Sequence, residues 1–270
     1  MLLPGQIIRP AAVAGKFYPA HAGELERLVE GLMEAAHTES VPNPKAVLAP
    51  HAGYVFSGPI AGSAFRAWSK QCRAVRRVVL VGPSHYVAFR GIALPHATAF
   101  GTPLGTVRVD NEVLERLRGL PQVHELPAAH EREHCLEVEL PFLQRLIPEL
   151  GIVPLVVGDA TDTEVCEVIE ALWGGDETRF VISSDLSHYQ PYETAQRLDR
   201  STATLIEEVR AEQLTADEAC GYLAIRGFLL AAKKRGFRGL TLDLRNSGDT
   251  AGPRYSVVGY GAFAFAENAN

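Results

Sequence analysis

Three of the nine histidines occur where an apolar run gives way to glycine, proline or serine. They are His51 in Pro50-His-Ala-Gly53, His85 in Gly82-Pro-Ser-His85, and His188 in Ser183-Ser-Asp-Leu-Ser-His188. A single histidine is most often a surface or core residue, but imidazoles delivered by separate strands are what a nitrogen and oxygen metal site needs. Ligands of open α/β sheets bind beyond the carboxyl ends of the strands. The pattern therefore predicts a metal or acid–base cluster of these three histidines.

A second histidine pair forms the string His130-Glu-Arg-Glu-His134, which matches the H-E-x-x-H pattern of zinc proteases. On a helix that pattern places two imidazoles on one face, with a carboxylate available as base. The three intervening residues are all charged, and the apolar neighbours that a zinc-protease helix needs are missing. We therefore expect a helix start here, with acids near its positive end and with His134 and Glu137 one turn apart.

Two other polar segments contain reactive residue types. The string Ser183-Ser-Asp-Leu-Ser-His188 contains the serine, aspartate and histidine of a catalytic triad with a serine nucleophile. However, there is no G-x-S-x-G elbow, and residues this close in sequence seldom form a triad. No G-x-G-x-x-G or Walker A string supports a nucleotide cofactor. The glycine-rich loop of residues 246–252 is either a turn or a segment that delivers Asp249 or Thr250 to the site.

The elements that must position these residues alternate along the chain. Runs that are apolar nearly throughout are typical of strands buried on both faces, and they occupy residues 45–50, 77–82, 151–158, 179–183 and 255–265. Apolar stripes at helical spacing predict helices at residues 24–36, 136–147, 165–173, 193–209 and 217–234. Residues 91–110 indicate a strand-rich insertion. The alternation predicts a single α/β domain over residues 1–270, with a central, mostly parallel sheet and helices on both faces.

The composition narrows the function classes. Of 270 residues, 47% are hydrophobic and 21% charged, which excludes a disordered tail, a fibre or a disulfide-stapled miniprotein. With a net charge of −6 and no basic block, we expect no nucleic-acid partner and no membrane partner. There is no long apolar run, no signal-peptide pattern and no C-x-x-C pair among the four cysteines, so the cytoplasm is the expected compartment.

Six motifs follow one another along nearly the whole chain: Arg9-Pro-Ala-Ala-Val-Ala-Gly-Lys-Phe-Tyr-Pro19, Pro50-His-Ala-Gly-Tyr54, Gly82-Pro-Ser-His85, Glu133-His134 with Glu137 and Leu140-Pro141, Ser183-Ser-Asp-Leu-Ser-His188, and Asn246-Ser-Gly-Asp-Thr250. In this order they resemble the Memo family, whose microbial members are also called AmmeMemoRadiSam system protein B. The family's fold is similar to that of the class III extradiol ring-cleaving dioxygenases. Those enzymes hold non-haem Fe(II) with two histidines and a carboxylate, and use another histidine as acid–base. The resemblance implies the same fold and a metal site at the C-terminal rim of the sheet.

The resemblance also implies the metal ligands. It places His51 and His85 at the metal with His188 beside it, and it makes Fe(II) the expected metal, with zinc or copper as the other candidates. Animal members carry a cysteine ligand in the loop before the final strand, and the matching position here is Thr250, next to Asp249. Either Asp249 completes a two-histidine, one-carboxylate set, or His188 completes a three-histidine set.

Two functions are compatible with the resemblance. One is a metal-dependent, dioxygenase-like redox enzyme acting on an aromatic or otherwise electron-rich small molecule, with a histidine that moves protons. The other is a metal-binding or peptide-binding adaptor that keeps the crevice without catalysis. The remaining roles implied are catalytic for His188 and His134, and substrate-binding for Tyr54, Glu133, Asp185 and Thr250. The microbial family name further implies AMMECR1-like and radical SAM partner proteins.

Overall fold

Strands and helices alternate along the chain as the apolar patterns predict. The computed structural model of the protein describes residues 5–36, 41–68, 72 and 74–267. Within these residues the strands are β1 (Ile8–Arg9), β2 (Ala46–Ala49), β3 (Arg77–Pro83), β4 (Ile92–Leu94), β5 (Ala99–Thr102), β6 (Gly105–Val109), β7 (Val123–Glu125), β8 (Gly151–Val157), β9 (Thr178–Ser183), β10 (His188–Gln190), β11 (Phe237–Asn246) and β12 (Val257–Glu267). The helices are α1 (Ala22–Ala35), α2 (Tyr54–Arg66), α3 (Asn111–Leu117), α4 (Ala128–Glu131), α5 (Leu140–Leu146), α6 (Asp162–Leu172), α7 (Tyr192–Glu207) and α8 (Tyr222–Lys234).

The strands form one sheet whose centre is parallel. Its order is β1-β5-β6-β8-β3-β9-β2-β12, with β10 and β11 also paired to β12 and with β4 paired to β8 and β7. Strands β8, β3, β9 and β2 run parallel, whereas β12 runs antiparallel to β2. Every residue of β2, β8 and β9 is buried. This explains their unbroken apolar sequences, since a strand covered on both faces has no solvated side. The predicted mostly parallel α/β sheet is confirmed.

Two groups of helices pack on this single α/β domain. Helices α1, α2 and α5 contact one another, and α2 also contacts β2 and β12. Helices α6 and α8 form the other large helix pair, with α8 resting on β3 and β9. The arrangement is consistent with the class III extradiol dioxygenase-like fold. None of the helices in the described ranges is long and apolar enough to cross a bilayer.

The structure departs from the predicted elements at several places. Helix α2 was not predicted, because Gly58, Pro59 and Gly62 interrupt its pattern. Gly62 is required there, since a Cβ would lie 2.5 Å from the carbonyl oxygen of Leu32 on α1. Residues 91–110 are not an insertion, because β6 pairs with β8 and β5 with β6 in the main sheet.

The sheet order determines where the chemistry collects. Strand β9 lies between β3 and β2 and is parallel to both. The loops that follow these three strands therefore leave the sheet side by side at one edge. Those loops carry His51 after β2, His85 after β3, and the Ser183–His188 string after β9.

Candidate metal centre

His51 is buried directly beyond the end of β2, with only 2% of its surface exposed. Its backbone N–H donates to Asp185 Oδ1 at 2.8 Å, and its ring Nδ1 lies 2.9 Å from Ser183 Oγ. Both partners come from the neighbouring strand β9 and the loop after it. Burial, followed by the nearby His85, lowers the pKa of His51 to about 3. His51 is therefore a neutral, fixed imidazole near pH 7.

His85 is oriented by a carboxylate. Glu133 Oε2 accepts the His85 backbone N–H at 2.7 Å, and Glu133 Oε1 lies 2.8 Å from His85 Nδ1. Oε1 also accepts the backbone N–H groups of His134 and Cys135, at 3.0 and 3.1 Å. Burial alone would raise the pKa of Glu133, but the hydrogen bonds with His85 and Cys135 and the charge of His85 lower it to about 2. The ionised Glu133 thus holds His85 and the segment around His134 together.

His134 completes a cluster of three imidazoles. Its ring centroid lies 4.7 Å from that of His85 and 5.5 Å from that of His51, and the latter two are 5.1 Å apart. One ring nitrogen from each histidine lies within 4.8 Å of the other two. Burial, followed by the nearby His51, lowers the pKa of His134 to about 4. Phe17 packs edge-on against the ring at 4.8 Å.

The donor set fits a transition metal. In each imidazole Nδ1 has a protein neighbour: Ser183 for His51, Glu133 for His85, and the Tyr86 hydroxyl at 3.4 Å for His134. This leaves Nε2 as the ligand atom, which is how metal-binding histidines are usually held. Neutral imidazoles suit zinc, copper, iron and nickel. Donor atoms this close need only small adjustments to reach bonds of about 2 Å to one ion.

Cys220, just before α8, was missed by the sequence reasoning. Its Sγ lies 3.3 Å from His51 Nε2 and 3.7 Å from Ser184 Oγ. Burial, followed by the nearby Asp185, raises the pKa of this thiol to about 12. Gly221 donates its N–H to Ser184 Oγ at 2.9 Å and so ties the turn to the loop after β9. A cysteine does reach the site, but from this turn and not from the loop before the final strand.

His188 and Asp185 lie beside the cluster. His188 Nδ1 donates to the carbonyl oxygen of Leu186 at 2.7 Å, and its charge acts on His51. His188 belongs to neither of the two three-residue groups that could hold a metal in the described residues. Asp185 is 5% exposed, and burial raises the pKa of its carboxyl group. It supports the backbone of His51, so the predicted contact with substrate would have to use its other oxygen.

The structure does not bring Asp249 and Thr250 to the cluster. Asn246 and Asp249 cap a short 3₁₀ turn, Ser247–Asp249, with the Asn246 N–H donating to Asp249 Oδ2 at 3.0 Å. The Tyr192 hydroxyl donates to the other carboxylate oxygen. Thr250 Oγ1 donates to the Ser247 carbonyl at 3.2 Å. Asp249, predicted as a metal ligand, and Thr250, predicted to bind substrate, are therefore used in the turn itself.

Tyr54 and Glu133, both predicted to bind substrate, have partners inside the protein. The Tyr54 hydroxyl donates to the Val138 carbonyl at 2.5 Å, and its ring packs on Tyr18 and Phe142. Tyr54 is 4% exposed and forms part of the core. Both carboxylate oxygens of Glu133 have partners within the site.

The two histidines of the H-E-x-x-H string lie in different environments. Helix α4 ends at Glu131, so the string is not one helix. His130 is 2% exposed and lies 3.0 Å from the Ala93 carbonyl through Nε2, whereas His134 faces the imidazole cluster. The zinc-protease pairing of these two histidines is absent in the described structure.

A cavity of about 530 Å³ adjoins the cluster at Cys220. Its walls come from the ends of β3 and β8 and from the start of α8, and include Phe89, Tyr222 and Leu223. Ser84, Arg90 and Asp159 supply polar groups at its edge. The lining is therefore about as polar as it is apolar, and a cleft of this size is large enough for a small molecule.

Comparison with known proteins agrees with the motifs. A family model described as "Memo-like protein" matches residues 9–264. A "MEMO1 family protein" of Aquifex aeolicus is 36% identical over 265 residues, which cover 94% of this chain and 97% of the relative. Proteins with the same description from Archaeoglobus fulgidus and Caldivirga maquilingensis are 35% and 33% identical, each over 96% of this chain and 99% of their own length. The resemblance inferred from the six motifs is confirmed.

Proposed function

Because this chain belongs to the Memo-like protein family, we propose that it is a metal-dependent redox enzyme of dioxygenase type. Its metal site is formed by His51, His85 and His134, and Fe(II) is the proposed metal. The observation that carries the proposal is the convergence of these three imidazoles, with every Nδ1 held by a protein group. Two of the rings are kept neutral by burial, so their lone pairs are available without loss of a proton.

Three protein ligands leave coordination positions open for other molecules. When bound, Fe(II) would supply redox chemistry with dioxygen and a position for a substrate oxygen. Cys220 lies next to His51 and offers a soft sulfur donor, which makes zinc and copper the competing occupants.

His188 is the proposed proton carrier. Since its Nδ1–H is donated to the Leu186 carbonyl, its Nε2 is the atom free to accept a proton. It lies beside His51 without belonging to the ligand group, so it can act on a substrate hydroxyl. The proposed substrate is a small molecule with both apolar and polar groups in the 530 Å³ cavity, with Cys220 at the wall shared with the metal site.

The test is metal analysis of untagged protein purified without oxygen. We expect about one iron per chain, strongly reduced in His51→Ala and His134→Ala. The matched control is His96→Ala, which removes a half-exposed histidine paired with Glu125 away from the cluster. Iron retained in His51→Ala and His134→Ala, or lost equally in His96→Ala, would overturn the proposal. A Cys220→Ser variant that loses zinc or copper but keeps iron would show that the thiol acts on the soft metals.

A second candidate is a metal-binding adaptor that recognises a peptide. It is favoured by Tyr86 and Tyr189, which are 48% and 77% exposed beside His134 and His188. Exposed aromatic rings at a rim are common in protein recognition. Oxygen uptake by the Fe(II)-loaded protein with a panel of hydroxylated aromatic molecules separates the two. Uptake that requires His188 supports the enzyme, and its absence with all of them favours the adaptor.

A further inference from the structure

The hydroxyl of Ser183 connects His51 to a second buried acid, Glu139. Ser183 Oγ has three neighbours, namely His51 Nδ1 at 2.9 Å, the Cys135 carbonyl oxygen at 2.7 Å and Glu139 Oε1 at 2.8 Å. All four residues are almost fully buried. Because these groups are shielded from bulk solvent, the protons of the three hydrogen bonds are distributed among them.

Counting donors and acceptors leaves one consistent arrangement. A serine hydroxyl donates one proton and accepts two. The Cys135 carbonyl can only accept, so Ser183 must donate to it. His51 Nδ1 and Glu139 Oε1 must then both donate to Ser183, which requires an N–H on His51 and a proton on Glu139.

The surroundings of Glu139 favour the same assignment. Its side chain has no exposure, and its Oε2 has no hydrogen-bond partner in the described structure. Burial, and the nearby acid Asp185, raise the pKa of Glu139 well above its ordinary range. A buried carboxylate with one bare oxygen costs far more than a carboxylic acid with a bare carbonyl.

We propose that Ser183 is a positioning residue whose hydroxyl, directed to the Cys135 carbonyl, fixes His51 as its Nδ1–H tautomer with Nε2 directed to the metal, and that Glu139 is a neutral carboxylic acid that donates to the same hydroxyl oxygen. The inference rests on the proposed metal site. His85 is held directly by a carboxyl oxygen of Glu133, whereas His51 is held by a hydroxyl.

The first test needs no metal. In metal-free protein with ¹⁵N-labelled histidine, NMR should show His51 as the Nδ1–H tautomer in the wild type and in Glu139→Gln. Ser183→Ala should give a mixture, because His51 Nδ1 then has no hydroxyl oxygen to which it donates. Infrared spectra should contain the carbonyl band of a protonated carboxylic acid that Glu139→Gln removes. Absence of that band, or an unchanged His51 tautomer in Ser183→Ala, would overturn the inference.

The second test is metal affinity by competition with a chelator, using Fe(II) and Zn(II). Loss of an outer hydrogen-bond partner costs about 10–100-fold in metal affinity, and we expect this for Ser183→Ala. Glu139→Gln should stay within about threefold, since its amide replaces the acid as donor. Glu131→Gln, an exposed glutamate of the same segment, is the matched control.

The two proposals fail separately. If the wild type binds neither metal, the proposed function is wrong, while NMR and infrared spectroscopy still decide the roles of Ser183 and Glu139. If Ser183→Ala does not fold, Ser183→Cys, whose thiol is a weaker acceptor, supplies the comparison. Equal metal affinities in Ser183→Ala and the wild type would exclude Ser183 as the positioning residue.

Discussion

Two buried polar networks meet in the segment around residues 130–139, and they differ in one respect. In the first, both oxygens of Glu137 are occupied, by Arg9, the Tyr18 hydroxyl and the backbone N–H groups of Ala12 and Val13. In the second, each of the three imidazoles is held at Nδ1. Their Nε2 atoms converge, and Cys220 is the one protein group among the described residues that contacts any of them. A filled network stabilises the fold, and an incompletely filled one leaves lone pairs for a ligand.

The filled network also supports the incomplete one. Arg9 donates to the backbone carbonyl of His130 at 2.9 Å and to that of Glu133. The N-terminal segment is thereby tied to the loop that carries His134. The first motif of the chain thus has a structural role, which explains its occurrence in a set of otherwise site-forming motifs.

The largest effect should come from opening the filled network. Replacing Glu137 by leucine leaves the Arg9 charge buried without a partner. Removing one member of a buried pair costs about 3–5 kcal/mol, and urea unfolding should show a loss of this size. The control is Glu30→Gln, which removes one of two half-exposed partners of Arg145 and should cost less than about 1 kcal/mol. Equal losses in the two variants would contradict the comparison.

The next largest effect is the pH dependence of stability that His130 causes, which distinguishes this histidine from His134 in the imidazole cluster. Burial lowers the pKa of His130 from 6.5 to about 4, so between these values the unfolded chain binds a proton that the folded chain does not. Stability should therefore fall as the pH falls from 6.5 to 4, by about 1.4 kcal/mol per pH unit for this group. Above pH 6.5 the group contributes no pH dependence.

His51 and His134 act in the same direction in metal-free protein, so the measurement is a difference of slopes. Urea unfolding at several pH values gives the free energy of unfolding as a function of pH. Between pH 6.5 and 4 the slope of this curve should be smaller in His130→Gln than in the wild type, by the amount that corresponds to one bound proton. Metal affinity at pH 7 should be unchanged in this variant. A loss of metal in His130→Gln would place His130 in the site.

A smaller effect is expected for the carboxylate that serves the incomplete network. Glu133→Gln keeps the shape but loses the charge that orients His85. Metal affinity should fall about 10–100-fold, which is the usual cost of an altered outer partner. Competition with a chelator measures it, and Glu131→Gln should leave the affinity unchanged. An unaltered affinity in Glu133→Gln would show that the backbone alone positions His85.

The smallest effect concerns backbone strain at the rim. Tyr189 is 77% exposed and has φ of 57°, in the left-handed region. Since glycine avoids a penalty of about 1 kcal/mol in that region, Tyr189→Gly should raise the free energy of unfolding by up to this amount. Gln190→Gly, at a neighbouring position without positive φ, should lower it. A destabilised Tyr189→Gly would mean that the ring contributes more than its exposure suggests.

The sequence predicted the parts of the fold that rest on repeated apolar patterns. Strands such as β3 and β8 are buried on both faces and read as unbroken apolar runs. Helix α2 was missed because close packing against α1 selects glycine, which is also the usual sign of a turn. Strand β11 was missed although Leu240, Leu242 and Leu244 alternate with polar residues, the period-2 signal of an antiparallel strand.

Within the candidate site, the sequence identified the residues that follow strands. His51 and His85 were found because the end of a strand has a fixed place in the sheet. His134, predicted to be catalytic, reaches the imidazole cluster from a loop between short elements, which has no such fixed place. Cys220 had only the following Gly221 as a signal. Asp249, predicted as a metal ligand, has its partners within its own turn, and a polar turn and a ligand loop have the same composition.

The insertion of β9 between β3 and β2 has a consequence for assembly during synthesis. His51, His85 and His134 are all made before residues 178–183, yet the first two cannot take their places until β9 separates and joins their strands. Contacts of such long sequence separation form late and slowly in folding. A nascent chain ending near residue 170 therefore contains all three imidazoles without their shared site, so the proposed metal centre forms only when the sheet closes.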